Sequence, residues 1–92
     1  MAWKIDFEQR ASKEFDRLSY PVRKEILDYL KERIAPSENP RQCGAALSHE
    51  LAGFWRYRVG DYRVICRIYD ERVRVLIVRM EHRKEAYEDK RR

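Results

Sequence analysis

The sequence predicts an α+β fold: two N-terminal antiparallel helices packed on a mainly antiparallel four-stranded sheet, then a short C-terminal helix or tail. Three observations predict it. Residues 22–34 carry apolar side chains at helical spacing, and residues 54–69 alternate with period two. The chain has 92 residues, which makes 1–92 one domain with room for one core, and its long apolar runs fall at 54–69 and 73–80. One sheet covered by helices on one side is the economical way to bury those runs.

The elements follow in order. In residues 3–7, Trp3, Ile5 and Phe7 alternate with Lys4 and Asp6, a short half-buried strand. A helix over about 8–18 places Ala11, Phe15 and Leu18 on one face. Ser19-Tyr20-Pro21 breaks it, and Pro21 suits the first turn of a second helix, where its missing N–H is not needed. That helix runs to about 34 on the stripe Val22, Ile26, Leu30 and Ile34. Residues 35–52 are loop-like, with a weak helical signal near Leu47 and Leu51. Strands follow at about 54–59, 62–69 and 72–80. Gly60-Asp61 forms a tight hairpin turn between the first two. The position of the N-terminal strand in the sheet is open. The ending, residues 81–92, suits either a short helix or a partly ordered tail.

The formal net charge is +5, and its placement says more than its size. Residues 1–35 hold eight Lys/Arg against seven Asp/Glu, whereas residues 53–67 hold four Arg against Asp61 alone. A focused basic field attracts a polyanion or an acidic protein segment; simple solubilisation is the plain alternative. Cys43 and Cys66 lack metal-ligand or redox spacing, and either free thiols or a disulfide fits them. His49 and His82 make no convincing metal set, and no Gly-rich phosphate loop is present, so neither metal nor cofactor is expected. No apolar leader or membrane-length stretch is evident, which makes the cytoplasm the expected location and a membrane an unexpected partner.

Arginines inside strands give up apolar packing. Alternation places Arg56 and Arg58 on one face of their strand and Trp55, Tyr57 and Val59 on the other. Arg63 and Arg67 share a face of the next strand. Same-face arginines on a tight hairpin come close enough to share one anion, and guanidinium matches phosphate geometry. The alternative is that they extend into solvent or pair with Asp/Glu. His82 is expected just past the last strand, where it is either a proton-transfer group or a plain surface histidine. Tyr87 either anchors the tail or stacks on a base. RNA phosphates are the substrate class that this set of residues suits.

Three stretches resemble the RelE/ParE superfamily of bacterial and archaeal toxins: FEQRASKEFDRL, LAGFWRYRVGDYRVICRI and VRVLIVRMEHRKEAY. The resemblance spans nearly the whole chain. It implies two helices against a strongly twisted four-stranded sheet, and a cognate antitoxin that wraps and neutralises the toxin. The RelE-like branch cleaves mRNA in the ribosomal A site, where the 2′-hydroxyl attacks the adjacent phosphate. Carried over by position, the resemblance implies a catalytic set of Arg58, Arg63, His82 and Tyr87, with Arg56 and Arg83 holding substrate; Arg67, on the strand face of Arg63, is expected to hold substrate beside them. No metal takes part, and ribosome-bound mRNA is the implied partner. Arg56 and Arg58 stand where that branch commonly has lysines, and arginine does not readily give up its proton. Arg83 rivals His82 for the late basic role. The other members of the superfamily leave two alternatives, a ParE-like inhibitor of DNA gyrase and a non-catalytic binding module.

Overall fold

A computed structural model describes residues 2–84 of the chain. The strands are β1 (Lys4–Phe7), β2 (Ala45–Ala46), β3 (Trp55–Val59), β4 (Tyr62–Tyr69) and β5 (Arg74–His82), and the helices are α1 (Gln9–Asp16) and α2 (Tyr20–Tyr29). They form one five-stranded sheet in the order β1-β5-β4-β3-β2. β1 runs parallel to β5, with Ile5 level with Val75 and Phe7 with Ile77, and the other pairs are antiparallel.

Two expectations are corrected here. The sheet has five strands rather than four, because Ala45 and Ala46 pair with Arg56 and Trp55. A two-residue strand of alanines carries no alternation and is silent in sequence. The second helix also does not run as one α-helix to 34. It ends at Tyr29, and Leu30–Ile34 forms a π-helical turn, closed by the Ala35 N–H donating to Leu30 O at 2.8 Å. The predicted stripe survives the change: Ile26, Leu30 and Ile34 are all buried. Of the expected C-terminal helix or tail, Glu81 and His82 belong to β5, Arg83 and Lys84 are helical, and the rest lies outside the described residues.

The helices cover one face of the sheet. Ala11, Ile26, Leu30 and Ile34 pack with Tyr57, Val59, Val64, Cys66, Val75, Ile77 and Met80 in one core. Phe15 of α1 meets Phe7 of β1 with ring centroids 5.3 Å apart. The irregular segment before β3 is tied to that strand's aromatics. Tyr57 Oη donates to Pro40 O at 2.6 Å and Trp55 Nε1 to Cys43 O at 2.7 Å. Gly44 makes this approach possible: a Cβ there would lie 2.1 Å from Arg56 O, and its φ is +80°. The β3–β4 turn uses Gly60 at φ +58°, as a tight hairpin requires.

One irregularity decides what the other face carries. Ile65 is opposite Arg79, yet Cys66 is opposite Ile77, so Val78 is an extra residue in β5. This β-bulge reverses which face each later side chain takes. Before it, Val75 and Ile77 point into the core; after it, Met80 does. Glu14 of α1 serves the bulge, its Oε1 accepting from Met80 N–H at 2.9 Å.

Candidate nucleic-acid interface

Residues directly opposite in a sheet share a face. The register puts Arg58 opposite Arg63 and Arg63 opposite Glu81, and puts Arg56 opposite Ile65 and Ile65 opposite Arg79. Arg67 lies opposite Leu76, and Arg74 opposite Tyr69. The face away from the helices therefore carries Arg56, Arg58, Arg63, Arg67, Arg74 and Arg79. Two carboxylates, Asp6 and Glu81, join them there.

The arginines are of two kinds. Arg74 is held by Asp6 at 2.6 Å, and the Arg67 guanidinium lies 4.7 Å from the Phe54 ring centroid, a cation–π contact. Arg63 is held by Glu81, with Nη2 at 2.6 Å and Nε at 3.2 Å from Oε1. The other oxygen, Oε2, takes Arg79 Nη2 at 2.8 Å. Glu81 is the one buried charged residue among those described, at 3% exposure. The side chains of Arg56 and Arg58 have no hydrogen bond or ion pair among the described residues, and Arg58 is exposed. The face thus presents two cations without a side-chain ion pair among the described residues, beside a pair fixed by a shared carboxylate. Ile65 lies between Arg56 and Arg79 and is only 1% exposed, because long arginine stems shield apolar surface while their heads stay wet.

The structure brings Arg56, Arg58, Arg63 and Arg67 onto one face, and separates His82 from them. His82 is the last residue of β5 rather than a residue just past a strand ending at 80, which corrects the expected strand end. It pairs with Tyr62 and stands edge-on to that ring, 5.1 Å between centroids. Tyr62 is level with Val59, so His82 belongs to the helix-side face, at its rim. The bulge is the reason: without it Glu81 and His82 would exchange faces. Arg83 sits beside the hairpin turn, its N–H donating to Asp61 O at 2.7 Å, and its side chain is exposed. Tyr87 lies outside the described residues.

His82 Nδ1 accepts from Lys84 N–H at 3.1 Å. A backbone N–H can only donate, so the neutral ring carries its proton on Nε2. Cys66, by contrast, offers no nucleophile. It is buried on the core face, and burial pushes its thiol up to about 12. Among the described residues no group of three His, Cys, Asp or Glu is arranged to hold a metal ion, and no helix is long and apolar enough to cross a membrane.

Glu81 is the site residue that sequence reasoning missed. A signal for it exists. Val75 and Ile77 are apolar, then Arg79 and Glu81 are charged at the same parity while Met80 is apolar at the other. That reversal is what a bulge writes into a sequence.

The family model described as the ParE toxin of type II toxin-antitoxin system, parDE, matches residues 5–87. Toxin RelG of Mycobacterium tuberculosis (strain ATCC 25618 / H37Rv) is 30% identical over 87 residues, 95% of this chain and 98% of the relative. Among solved structures, the toxin-antitoxin complex RelBE2 from Mycobacterium tuberculosis is similar with TM-score 0.81 and 28% identity, over 90% of this chain and 100% of that one. The isolated E. coli RelE toxin shares the fold, with TM-score 0.70 and 22% identity over 97% of this chain and 95% of that one. With the family model covering most of the chain and a toxin relative matched over nearly its full length, the chain belongs to the RelE/ParE superfamily of type II toxin-antitoxin toxins.

Proposed function

We propose that this toxin is a ribosome-dependent endoribonuclease that cleaves mRNA in the A site and is neutralised by a cognate antitoxin. The observation that carries the reading is the open arginine face, with Arg58 in register with Arg63 and Arg63 braced by Glu81. The similarity to RelG and to a RelBE2 toxin-antitoxin complex supports the antitoxin partner. In the reaction, the 2′-oxygen forms a bond to phosphorus as the bond to the 5′-oxygen breaks. The 2′-proton is lost and the leaving oxygen gains one, which yields a 2′,3′-cyclic phosphate and a 5′-hydroxyl.

Arg63 grips the scissile phosphate and Arg58 stabilises the charge that grows on its oxygens. Arg56 and Arg67 hold neighbouring phosphates, and Arg83 adds a contact at the hairpin turn. Guanidinium stays protonated, so this face positions and stabilises rather than moves protons. His82 lies on the opposite face at the rim, so its Nε2–H serves as donor to a leaving oxygen only where the RNA turns around the end of β5. For Nδ1 to accept a proton, the Lys84 N–H must first let go. Tyr87 orients the base. In-line placement of the 2′-hydroxyl is supplied by the ribosome, which suits a site without a ready base.

Primer extension on ribosome-bound mRNA tests the reading. Cuts within A-site codons are expected from the wild type, and their loss in Arg63→Ala and His82→Ala with the fold intact. Uncut mRNA would overturn it. The match to a ParE family model favours a second reading, inhibition of DNA gyrase. Blocked supercoiling with intact mRNA is the outcome that supports it.

A further inference from the structure

We propose that Glu81 is a positioning residue for the phosphate-gripping arginine. It locks Arg63 and Arg79 into one fork and holds that centre at a net charge of +1. The proposal rests on the reading that the arginine face meets RNA phosphates. The geometry is specific. Oε1 takes both Nε and Nη2 of Arg63, at 3.2 and 2.6 Å, and Oε2 takes Arg79 Nη2 at 2.8 Å. The Glu81 side chain is 4% exposed against 19% for Arg63, so the carboxylate lies beneath the guanidinium that it fixes. Among the described residues, two of the five N–H groups of Arg63 are engaged, which leaves three for a ligand. The β5 bulge at Val78 sets the register that puts this carboxylate opposite Arg63.

The arrangement sets affinity against orientation. Glu81 cancels one positive charge, which weakens attraction to a polyanion, and fixes the direction in which Arg63 meets the phosphate. The isosteric, neutral Glu81→Gln should therefore bind RNA more tightly and cleave it more slowly. A merely structural residue would lose both together.

The experiment compares full-length wild type and Glu81→Gln in four readouts. These are thermal unfolding, binding of a 2′-O-methyl oligonucleotide across a salt series, single-turnover cleavage of ribosome-bound mRNA, and the Arg63 Nε–H resonance. The variant is expected to stay folded. Its log Kd against log salt should steepen by about 0.7, one further single-strand phosphate contact. Its saturating cleavage rate should fall tenfold or more with no rise in half-saturating concentration, and its Arg63 Nε–H should lose its protection from exchange. Glu81→Asp restores the charge with a shorter reach, so it should regain the wild-type salt slope without the full rate. Wild-type cleavage by Glu81→Gln, or a parallel loss of binding and cleavage, overturns the proposal. If wild type itself leaves mRNA uncut, the functional reading fails. The salt slope and the Arg63 signal then decide Glu81, and no change in both overturns its role.

Discussion

The two faces of the sheet are made from alternate residues of the same strands, yet they are held together by different physics. The helix-side face is apolar and dry: Tyr57, Val64, Cys66, Val75 and Ile77 are fully buried. The other face is charged and open, and its order comes from a few fixed pairs, Arg63 and Arg79 on Glu81 and Arg74 on Asp6. The core face supplies stability without selectivity. The arginine face, to which the proposed function assigns recognition, adds little to stability except where a carboxylate is buried. That exception is the lesson: among the described residues, Glu81 is the one charged group on the arginine face that is buried like a core residue.

Substitutions that break this division should differ in size. Glu81→Ala is expected to cost about 3–5 kcal/mol, because it leaves two arginines around an emptied carboxylate site. Ile77→Ala, fully buried on the opposite face, should cost about 2–5 kcal/mol. Urea unfolding measures both, and a near-neutral Glu81→Ala would show that the fork carries no structure. Arg58→Ala should stay within about 0.5 kcal/mol of wild type, as exposed substitutions do.

Chemical reactivity divides along the same line. Burial pushes the Cys66 thiol up to about 12, so iodoacetamide at pH 8 should leave it unmodified in the folded protein and label it in urea. Cys43, half-buried, should react first. Labelling of Cys66 at full native signal would contradict a dry core face.

The smallest effect lies at the Arg41–Asp70 pair, which joins the loop before β2 to the β4–β5 turn with contacts of 2.8 and 3.0 Å. The Arg41 hydrogen bond holds the Asp70 carboxyl below its usual range. Its contribution is therefore complete above the unfolded carboxylate value of about 3.9, and is lost as pH falls through the lower folded value. Solvent screening keeps it small. The stability gap between wild type and Asp70→Asn, followed by denaturant midpoint, should narrow below about pH 4. A gap that widens on acidification would reverse the assignment.

Much of this division was legible in the sequence. Period two over β3 and β4 sorted Arg56, Arg58, Arg63 and Arg67 onto one face and Tyr57, Val64 and Cys66 onto the other. The stripe Val22, Ile26, Leu30 and Ile34 named the covering surface. What stayed hidden was hidden for physical reasons. A stripe at offsets of four reads the same through an α-helix and a π-turn, so the change at Leu30 left no mark. Ala45 and Ala46 pair through backbone alone. The parallel docking of β1 on β5 depends on contacts distant in sequence. The bulge at Val78 mattered most, because a one-residue slip moved Glu81 into the arginine face and His82 out of it.

The central claim is that the open arginine face acts on RNA while contributing almost nothing to the fold. Single-turnover cleavage of ribosome-bound mRNA by Arg58→Ala, with unfolding followed on the same sample, tests it most directly. The account predicts cleavage lowered tenfold or more at an unchanged unfolding midpoint. Cleavage at the wild-type rate by a folded Arg58→Ala would contradict it.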